Sequence, residues 1–283
     1  MKIKGVDLSY CQEGISFPAL KQAGVRFAII RAGFSTKKDV TMDKFVADCK
    51  KYGIGYGFYW YSYAMSVKQA ESEAEKCVDV IKGLSPTYPV FFDMEEKKQI
   101  SSLNTDTRTK MAIAFCEKIR QAGFKTGIYA NPSFMEHYYD KSRIIGKYDI
   151  WLAHWTNSPD CPSRYDYGQT MWQWGVDKIG GYDVDGDICF TDYSSKTVDE
   201  LADEVLAGKW DNGAERERLL TAAGYDYNAV QKRINEKLYR KTVDEIANEV
   251  IAGLWGNGTE RKEKLTEAGY DYSAVQKRVN EML

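Results

Sequence analysis

The feature that most constrains this chain is a tandem duplication in its last third. Residues 196–238 and 241–283 align without a gap at an offset of 45 residues, and 30 of the 43 paired positions are identical. A unit of this length buries little apolar surface, so it is limited to a few short elements around one small core. The duplication therefore predicts two equivalent modules, at residues 194–238 and 239–283, behind a separate domain of residues 1–193.

Each module is predicted to contain three short helices. Both copies begin with Thr-Val-Asp-Glu, at Thr197 and Thr242, which is the pattern of a capping box at the start of a helix. Apolar residues then recur at helical spacing until a glycine ends the helix. In the first copy, two further helices are expected at 215–223 and 228–238. The modules are therefore expected to be small all-α three-helix bundles.

The first 193 residues alternate between strand-like and helix-like segments. The amphipathic helical segments are Pro18–Ala23, Met42–Tyr52, Val67–Lys82 and Thr107–Ala122. The strand-like segments are Ile3–Leu8, Arg26–Ala32, Gly55–Tyr61, Pro89–Glu95 and Thr126–Asn131, followed with less helix between them by Ile150–Trp155, Thr170–Trp174 and Asp187–Thr191. Alternating strands and helices favour a parallel sheet, and eight strands favour closure into a barrel. We therefore predict an α/β domain with a (β/α)5β3 barrel.

Charge and hydropathy exclude several classes of partner. The net charge of −2 gives no field that would attract nucleic acid or anionic lipid. No apolar run approaches the roughly 18 residues of a membrane span. The first five residues lead into a strand rather than an apolar signal region, so the sequence predicts synthesis in the cytoplasm without a signal peptide. A neutral or mildly charged partner is expected, with no nucleic acid and no membrane insertion.

The cysteine and histidine content makes carboxylates the leading candidates for catalytic residues. Six cysteines occur without a CxxC pair, and the chain has two histidines, which leaves too few closely spaced ligands for a zinc site. We therefore expect neither a metal nor another cofactor. Asp93 and Glu95 follow the apolar strand Pro89–Phe92 at positions i and i+2, so both carboxylates point to the same side. Two acids at one site can divide into a protonated general acid and an ionised partner, as glycoside hydrolysis requires. The alternative is that Asp93 and Glu95 lie at a solvent-exposed strand end and have no catalytic role.

Other polar and aromatic residues are expected at the carboxyl ends of the barrel strands, where ligands bind in this architecture. Their composition suits a sugar, because aromatic rings stack on pyranose faces while carboxylates and amides bind hydroxyl and acetamido groups. These residues are Asp7, Arg31, Tyr59, Tyr61, Asn131, His154, Trp155, Gln173 and Asp187.

Seven motifs of this domain together resemble family 25 glycoside hydrolases, the N-acetylmuramidases of phages and bacteria. They are Lys4-Gly-Val-Asp-Leu-Ser9, Ile29-Ile-Arg31-Ala-Gly33, Gly57-Phe-Tyr59-Trp-Tyr61-Ser62, Phe92-Asp-Met-Glu95, Ile128-Tyr-Ala-Asn131, Trp151-Leu-Ala-His-Trp155 and Trp172-Gln-Trp174. The resemblance spans roughly residues 3–193 and implies a flattened eight-stranded barrel. It also implies cleavage of the β-1,4 bond between N-acetylmuramic acid and N-acetylglucosamine, with retention of configuration.

The resemblance also implies roles for single residues. By its place in the motif, Glu95 resembles the family's general acid/base. Asp93 resembles the family's second carboxylate, which either assists the substrate acetamido group or acts on the anomeric carbon. Asp7 is similar to a supporting acid. The last active-site acid of the family lies in a strand with a V-D-L-N-like sequence. In this chain, Asp187 is favoured for that position, and Asp185 is the second choice. The remaining residues of the predicted substrate site are Tyr59, Tyr61, Asn131, Trp155, Gln173, Asp185 and Arg31, the last of these as a charge partner of the acids.

The C-terminal copies resemble the cell-wall-binding repeats of certain phage lysins. Each carries W-x-N-G-x-x-R followed by G-Y-D-Y. The resemblance implies binding of the muropeptide part of bacterial peptidoglycan. In modules this small, Trp210 and Trp255 are expected in the cores. The predicted wall-binding residues are Asn212, Arg216 and Tyr225 in the first copy and Asn257, Arg261 and Tyr270 in the second.

Two other functions remain open at this point: a related sugar hydrolase such as a chitinase, and a wall-binding protein with an inactive barrel. A phage endolysin and a bacterial autolysin both fit the sequence, since either reaches the wall from the cytoplasm by release or export. The sequence does not determine the host range or the oligomeric state.

Overall fold

The structure is a computed structural model that describes residues 2–193, 196, 198–223, 225–239, 241–268 and 270–283. The chain forms two compact units, residues 1–195 and 196–283. Within the described residues, no helix combines the length and the apolar character needed to cross a membrane.

The first unit is built around a closed eight-stranded barrel. β1 pairs with β2 on one side and with β9 on the other, which closes the sheet, while the short β3 adds to the edge of β2. The prediction of an eight-stranded barrel is confirmed. The strands are β1 (Ile3–Leu8), β2 (Phe27–Phe34), β3 (Lys37–Lys38), β4 (Gly55–Tyr61), β5 (Val90–Asp93), β6 (Thr126–Ala130), β7 (Asp149–Ala153), β8 (Met171–Ile179) and β9 (Tyr182–Cys189).

Five helices lie between the strands: α1 (Phe17–Gln22), α2 (Met42–Tyr52), α3 (Val67–Ile81), α4 (Lys97–Ser102) and α5 (Thr105–Gln121). Side chains of Ser16, Ser66 and Asn104 accept hydrogen bonds from free amides at the starts of α1, α3 and α5. α2 ends at Gly53, which has a left-handed φ of 62°. Four of the helices match the predicted segments within two residues. α4 was not among the predicted segments.

The last two strands differ from the prediction. β8 and β9 form one long antiparallel hairpin that turns at Gly180 and Gly181, whose φ angles are 60° and 87°. A two-residue turn with both φ angles positive matches the twist of a hairpin, and glycine adopts it without strain. β9 therefore begins at Tyr182, five residues earlier than the predicted strand, and runs antiparallel to β1.

The barrel has two separate apolar layers. One fills the space between the strands and the surrounding helices and includes Phe45, Phe92 and Phe115. The other lies inside the barrel and is dominated by aromatic rings such as Phe91 and Trp151, whose centroids are 5.3 Å apart. The filled interior leaves room for a ligand at the end of the barrel rather than through it.

The second unit is all-helical, as predicted. The helices are α6 (Val198–Leu206), α7 (Gly213–Ala222) and α8 (Tyr227–Tyr239) in the first copy and α9 (Val243–Ile251), α10 (Gly258–Glu267) and α11 (Tyr272–Met282) in the second. Each copy has its own apolar core. The capping box at Thr242 is present, while the corresponding Thr197 lies outside the described residues.

Candidate active site

A cavity of about 170 Å³ opens at the carboxyl ends of the parallel strands. Four carboxyl groups and four aromatic rings surround it, together with one arginine and one glutamine. Its lining residues are Asp7, Arg31, Tyr59, Tyr61, Asp93, Glu95, Tyr129, Trp151, Gln173 and Asp185. Eight of these ten residues were predicted for the site from the sequence.

The two acids that follow the fifth strand differ in exposure. Asp93 is the last residue of β5 and is buried, whereas Glu95 lies two residues later and is exposed at the mouth of the cavity. Asp93 Oδ1 has no hydrogen-bond partner among the described residues. A buried, unpaired carboxylate oxygen is costly unless a ligand supplies a donor, so Asp93 is suited to bind a polar hydrogen of the substrate.

Both acids are less acidic than a free carboxyl group. Burial raises the pKa of Asp93 well above its usual value, and the neighbouring charges of Glu95 and Asp7 raise it further. The pKa of Glu95 is also raised, first by partial removal from water and then by the charge of Asp185. Like charges in a confined site cannot all ionise together, so the cavity retains at least one protonated carboxyl group to higher pH than isolated acids would.

The structure places Asp185 and Asp187 at different depths. Asp185 pairs with Asp7 across the β1–β9 ladder and lines the cavity. Asp187 pairs with Gly5, one step deeper in the barrel, and is fully buried. The sequence favoured Asp187 as the last acid because the order Asp187-Ile-Cys-Phe190 keeps the acid-apolar pattern of the family's strand. Because β9 is antiparallel, the earlier of the two acids lies at the open end.

Gln173 joins several of the predicted residues in one network. Its Nε2 donates to Asp7 Oδ2 at 2.8 Å, while its Oε1 accepts from Tyr129 Oη at 3.0 Å and from Trp155 Nε1 at 2.9 Å. The Trp155 side chain remains about half exposed beside the cavity, as expected for a ring that stacks on a sugar.

Arg31 and the tyrosines have partners different from the acids of the cavity. The Arg31 guanidinium contacts Asp39 through Nε at 2.7 Å and Nη2 at 2.6 Å, so Asp39 is its main charge partner. Tyr61 Oη donates to Glu96 Oε1 at 2.9 Å. The buried Tyr59 packs edge-on against Trp151 with a centroid distance of 6.0 Å. Arg31 therefore contributes positive charge at the wall of the cavity but does not pair directly with Asp93.

Asn131 does not line the cavity. Its Oδ1 accepts a hydrogen bond from the Phe134 amide at 3.0 Å and supports the turn after β6. Sequence reasoning missed Tyr129 and Trp151, which do line the cavity. The two-residue period of a strand was the available signal for Tyr129, because it lies two positions before Asn131 and shares its side of the strand. In the described part of the chain, no group of three or more histidine, cysteine, aspartate or glutamate side chains could hold a metal ion.

The arginines of the two repeats make the same three contacts. Arg216 donates through Nε to the Asp211 carbonyl at 2.8 Å, through Nη1 to Gln231 Oε1 at 3.2 Å and through Nη2 to Asn212 Oδ1 at 3.0 Å. Arg261 donates to the corresponding oxygens of Gly256, Gln276 and Asn257 at 3.0, 3.1 and 2.9 Å. All these acceptors are neutral, so the bonds orient the cation without neutralising it.

The aromatic residues of the repeats support their cores. Trp210 packs edge-on against Tyr225 at 6.2 Å, and Trp255 packs in the same way against Tyr270 at 5.9 Å. The indole nitrogens donate to Glu204 and Glu249, respectively, at 3.0 Å. Both tryptophans are only partly buried and pack against the core of their own copy rather than within it.

Acids that differ in exposure, beside aromatic rings in a barrel mouth, provide what the cleavage of a glycosidic bond requires. The fold and this cavity together define a β/α-barrel glycoside hydrolase. Residues 6–179 match the family described as glycosyl hydrolases family 25, and residues 199–238 and 244–283 match the CW_7 repeat. The chain therefore belongs to glycosyl hydrolase family 25 and carries two CW_7 repeats.

Individual proteins agree with this assignment. A lysozyme of Streptococcus phage Cp-7 is 30% identical over 77% of this chain and 65% of its own length, so this chain spans less than two thirds of that relative. The catalytic domain of endolysin ply40, from a bacteriophage of Listeria monocytogenes, is 26% identical with a TM-score of 0.57, covering 68% of this chain and 95% of that domain. The bacterial lysozyme of Streptomyces coelicolor shares the fold at 24% identity, with a TM-score of 0.59 over 68% of this chain and 94% of its own.

Proposed function

We propose that this chain is a peptidoglycan hydrolase that cleaves the β-1,4 bond between N-acetylmuramic acid and N-acetylglucosamine. The observation that carries the proposal is the pair Asp93 and Glu95, one buried and unpaired and the other exposed at the mouth of the same cavity. Glycosidases use such a division between two carboxyl groups to protonate a leaving group while they stabilise positive charge on the sugar.

In the proposed reaction, the configuration is retained and the substrate acetamido group assists. Glu95, at the mouth, donates its proton to the glycosidic oxygen as the bond to the anomeric carbon breaks. The acetamido carbonyl oxygen attacks that carbon, and Asp93 accepts the hydrogen bond of the acetamido N–H. Water, deprotonated by Glu95, then attacks the anomeric carbon and restores the acetamido group. The product keeps its configuration because two displacements occur at one carbon.

The repeats are proposed to bind the muropeptide part of the same polymer. Arg216 and Arg261 are held as oriented cations, which suits a forked contact with a carboxylate of the wall peptide. In the first copy, a groove of about 530 Å³ follows α8, and Gln231, a partner of Arg216, is among its lining residues. Two such sites on one polymer raise the effective concentration for the second contact. The site of action is therefore the bacterial wall, reached by phage release or by export.

The test is digestion of purified peptidoglycan, followed by borohydride reduction of the products. The parent chain is expected to yield muramitol at the new reducing ends, and Glu95→Gln is expected to lose at least about a thousandfold in rate, because its amide cannot donate the proton. Glu96→Gln is the matched control, since Glu96 is adjacent and bonds Tyr61 rather than lining the cavity.

The same digestion separates the alternatives. Glucosaminitol in place of muramitol would assign the other glycosidic bond, and cleavage of chitin oligomers without wall digestion would assign a chitinase. Binding without new reducing ends would indicate an inactive barrel. Glu95→Gln activity within about tenfold of the parent would overturn the role of Glu95.

A further inference from the structure

Directly below the cavity, the carboxyl groups of Asp7 and Asp187 are neighbours on the β1–β9 ladder, and each shifts the pKa of the other. The strand register explains their proximity: Asp7 on β1 lies opposite Asp185, and Asp187 lies two residues further along β9 on the same side of the ladder. Asp7 borders the cavity, whereas Asp187 is fully buried. Two carboxyl groups can form a hydrogen bond only if one of them keeps its proton.

The neighbours of Asp7 show that its Oδ2 is an acceptor. Trp155 Nε1 has no acceptor capacity, so the atom of Gln173 that it contacts at 2.9 Å must be the carbonyl oxygen. The other end of the Gln173 amide, its NH₂ group, then faces Asp7 Oδ2 at 2.8 Å. Asp7 Oδ2 therefore accepts a hydrogen bond and carries no proton.

The surroundings of Asp187 are those of an acid that keeps its proton. Trp151 Nε1 donates to Asp187 Oδ1 at 2.7 Å, which makes this oxygen an acceptor. The second oxygen, Oδ2, has no donor among the described residues. Full burial raises the pKa of Asp187 well above its usual value, and the charge of Asp7 raises it further. An O–H on Oδ2 that points to Asp7 satisfies all these contacts at once.

We propose that Asp187 is a protonated positioning residue, which donates a hydrogen bond to Asp7 and fixes the orientation of Asp7 and Gln173 below the substrate. The hydrogen bonds then run in one direction from each side towards Asp7: Trp151 to Asp187 to Asp7, and Trp155 to Gln173 to Asp7. Asp187 touches no substrate in this arrangement. The inference rests on the proposed function only in that Asp7 lines the cavity in which the reaction is proposed to occur.

The first test compares two substitutions in the full chain. Asp187→Asn keeps an acceptor for Trp151 and an N–H donor for Asp7, so kcat on soluble peptidoglycan fragments is expected to fall by less than about threefold. Asp187→Ala removes both bonds, and kcat is expected to fall by at least about thirtyfold in the protein that folds. If Asp187→Asn is folded yet as inactive as Glu95→Gln, Asp187 acts as an ionised acid and the proposal is wrong.

The second test needs no substrate and is independent of the reaction. In the Glu95→Gln background at neutral pH, the infrared difference between the chains with and without Asp187→Asn is expected to show the carbonyl band of a protonated carboxyl group. A difference with only carboxylate bands would show that Asp187 is ionised and would overturn the proposal. If the protonated band is present but no chain degrades peptidoglycan, Asp187 keeps its assigned state and the proposed function fails instead.

Discussion

At the scale of single residues, the main feature of the candidate site is the close approach of several carboxyl groups. Four carboxyl groups line one small cavity, and among the described lining residues Arg31 supplies the cationic side chain. Arg31 is shared with Asp39, which it contacts at 2.6 Å. The acids therefore adjust mainly by retaining protons to higher pH than isolated carboxyl groups would, and this favours a proton donor in the cavity.

Removing one of these charges should shift the pH dependence of the reaction. The charge of Asp185 is the second cause, after burial, of the raised pKa of Glu95, so Asp185→Asn should lower that pKa. Because Glu95 must be protonated to act as an acid, the alkaline limb of kcat/KM is expected to move to lower pH. Profiles measured on soluble peptidoglycan fragments check this. Asp183→Asn, an exposed change of equal charge on β9, should leave the limb in place. An unmoved limb in Asp185→Asn would contradict the assigned coupling.

At the scale of elements, two helices hold the segment that follows β4. Gln99 on α4 donates through Nε2 to the carbonyls of Ser62 at 3.0 Å and Ala64 at 2.8 Å. Glu73 on α3 is buried and accepts from the Tyr63 amide at 3.0 Å. The segment adjoins Tyr61 of the cavity, and the Tyr63 ring lies 5.3 Å from the Tyr61 ring. The wall of the cavity on this side therefore depends on contacts made by α3 and α4.

Glu73 should make the stability of the barrel depend on pH. Burial raises its pKa from 4.5 to about 7 in the folded chain. Its stabilising contribution is therefore complete below the unfolded value and is lost as pH rises through about 7, by up to about 3 kcal/mol. Glu73→Gln removes this titration, so the Tm of the parent barrel is expected to fall relative to that of the variant between about pH 5 and pH 8.

Thermal unfolding of both chains at each pH measures this difference. Glu75→Gln on the same helix is the control, because the Glu75 side chain is 62% exposed and pairs with Lys118 at the surface. Parallel Tm curves for the parent and Glu73→Gln would show that Glu73 is ionised in the folded barrel throughout this range.

The repeats offer a matched comparison of two pairs of arginines. Arg216 and Arg261 are oriented by neutral acceptors, whereas Arg233 and Arg278 occupy equivalent positions in ion pairs with Asp199 and Asp244. Arg216→Ala with Arg261→Ala is expected to weaken sedimentation with insoluble peptidoglycan at least tenfold, by loss of roughly 1.5–3 kcal/mol per charged contact. Arg233→Ala with Arg278→Ala removes the same charge and should bind like the parent. Equal binding by both folded variants would rule out a specific role for Arg216 and Arg261.

At the scale of the whole molecule, the barrel and each helical repeat have separate apolar cores. The barrel lies within the first compact unit, which ends at Ser195. Separate cores indicate that the chemistry and the attachment to the wall depend on different parts of the chain.

Truncation after Ser195 should therefore separate the two activities. The shortened chain is expected to keep a turnover within about threefold of the parent on soluble fragments, which need no tethering, and to lose at least about tenfold on intact walls. Deletion of residues 241–283 alone should give an intermediate loss. Release of reducing ends from both substrates provides the measurement. An equal loss on soluble and intact substrates would mean that the repeats serve the barrel itself rather than its attachment.

The sequence by itself determined the features that depend on local pattern. The ungapped duplication predicted two helical modules, the alternation of strands and helices predicted the barrel, and the spacing of Asp93 and Glu95 predicted two acids on one side of a strand. These inferences succeed because helical and strand periods are properties of neighbouring residues. The motifs around these acids, in their order along the chain, carried the resemblance to the family.

The tertiary structure alone decided which residues meet at the cavity. Asp185 rather than Asp187 lies at the open end, because β9 pairs antiparallel with a strand from the other end of the domain. Gln173 donates a hydrogen bond to Asp7, which is 166 positions away in the sequence. The same side-chain amide accepts hydrogen bonds from Tyr129 and Trp155. Such contacts depend on strand direction and on the closure of the barrel. Both are set by pairing between distant segments, and the local pattern of residues does not encode that pairing.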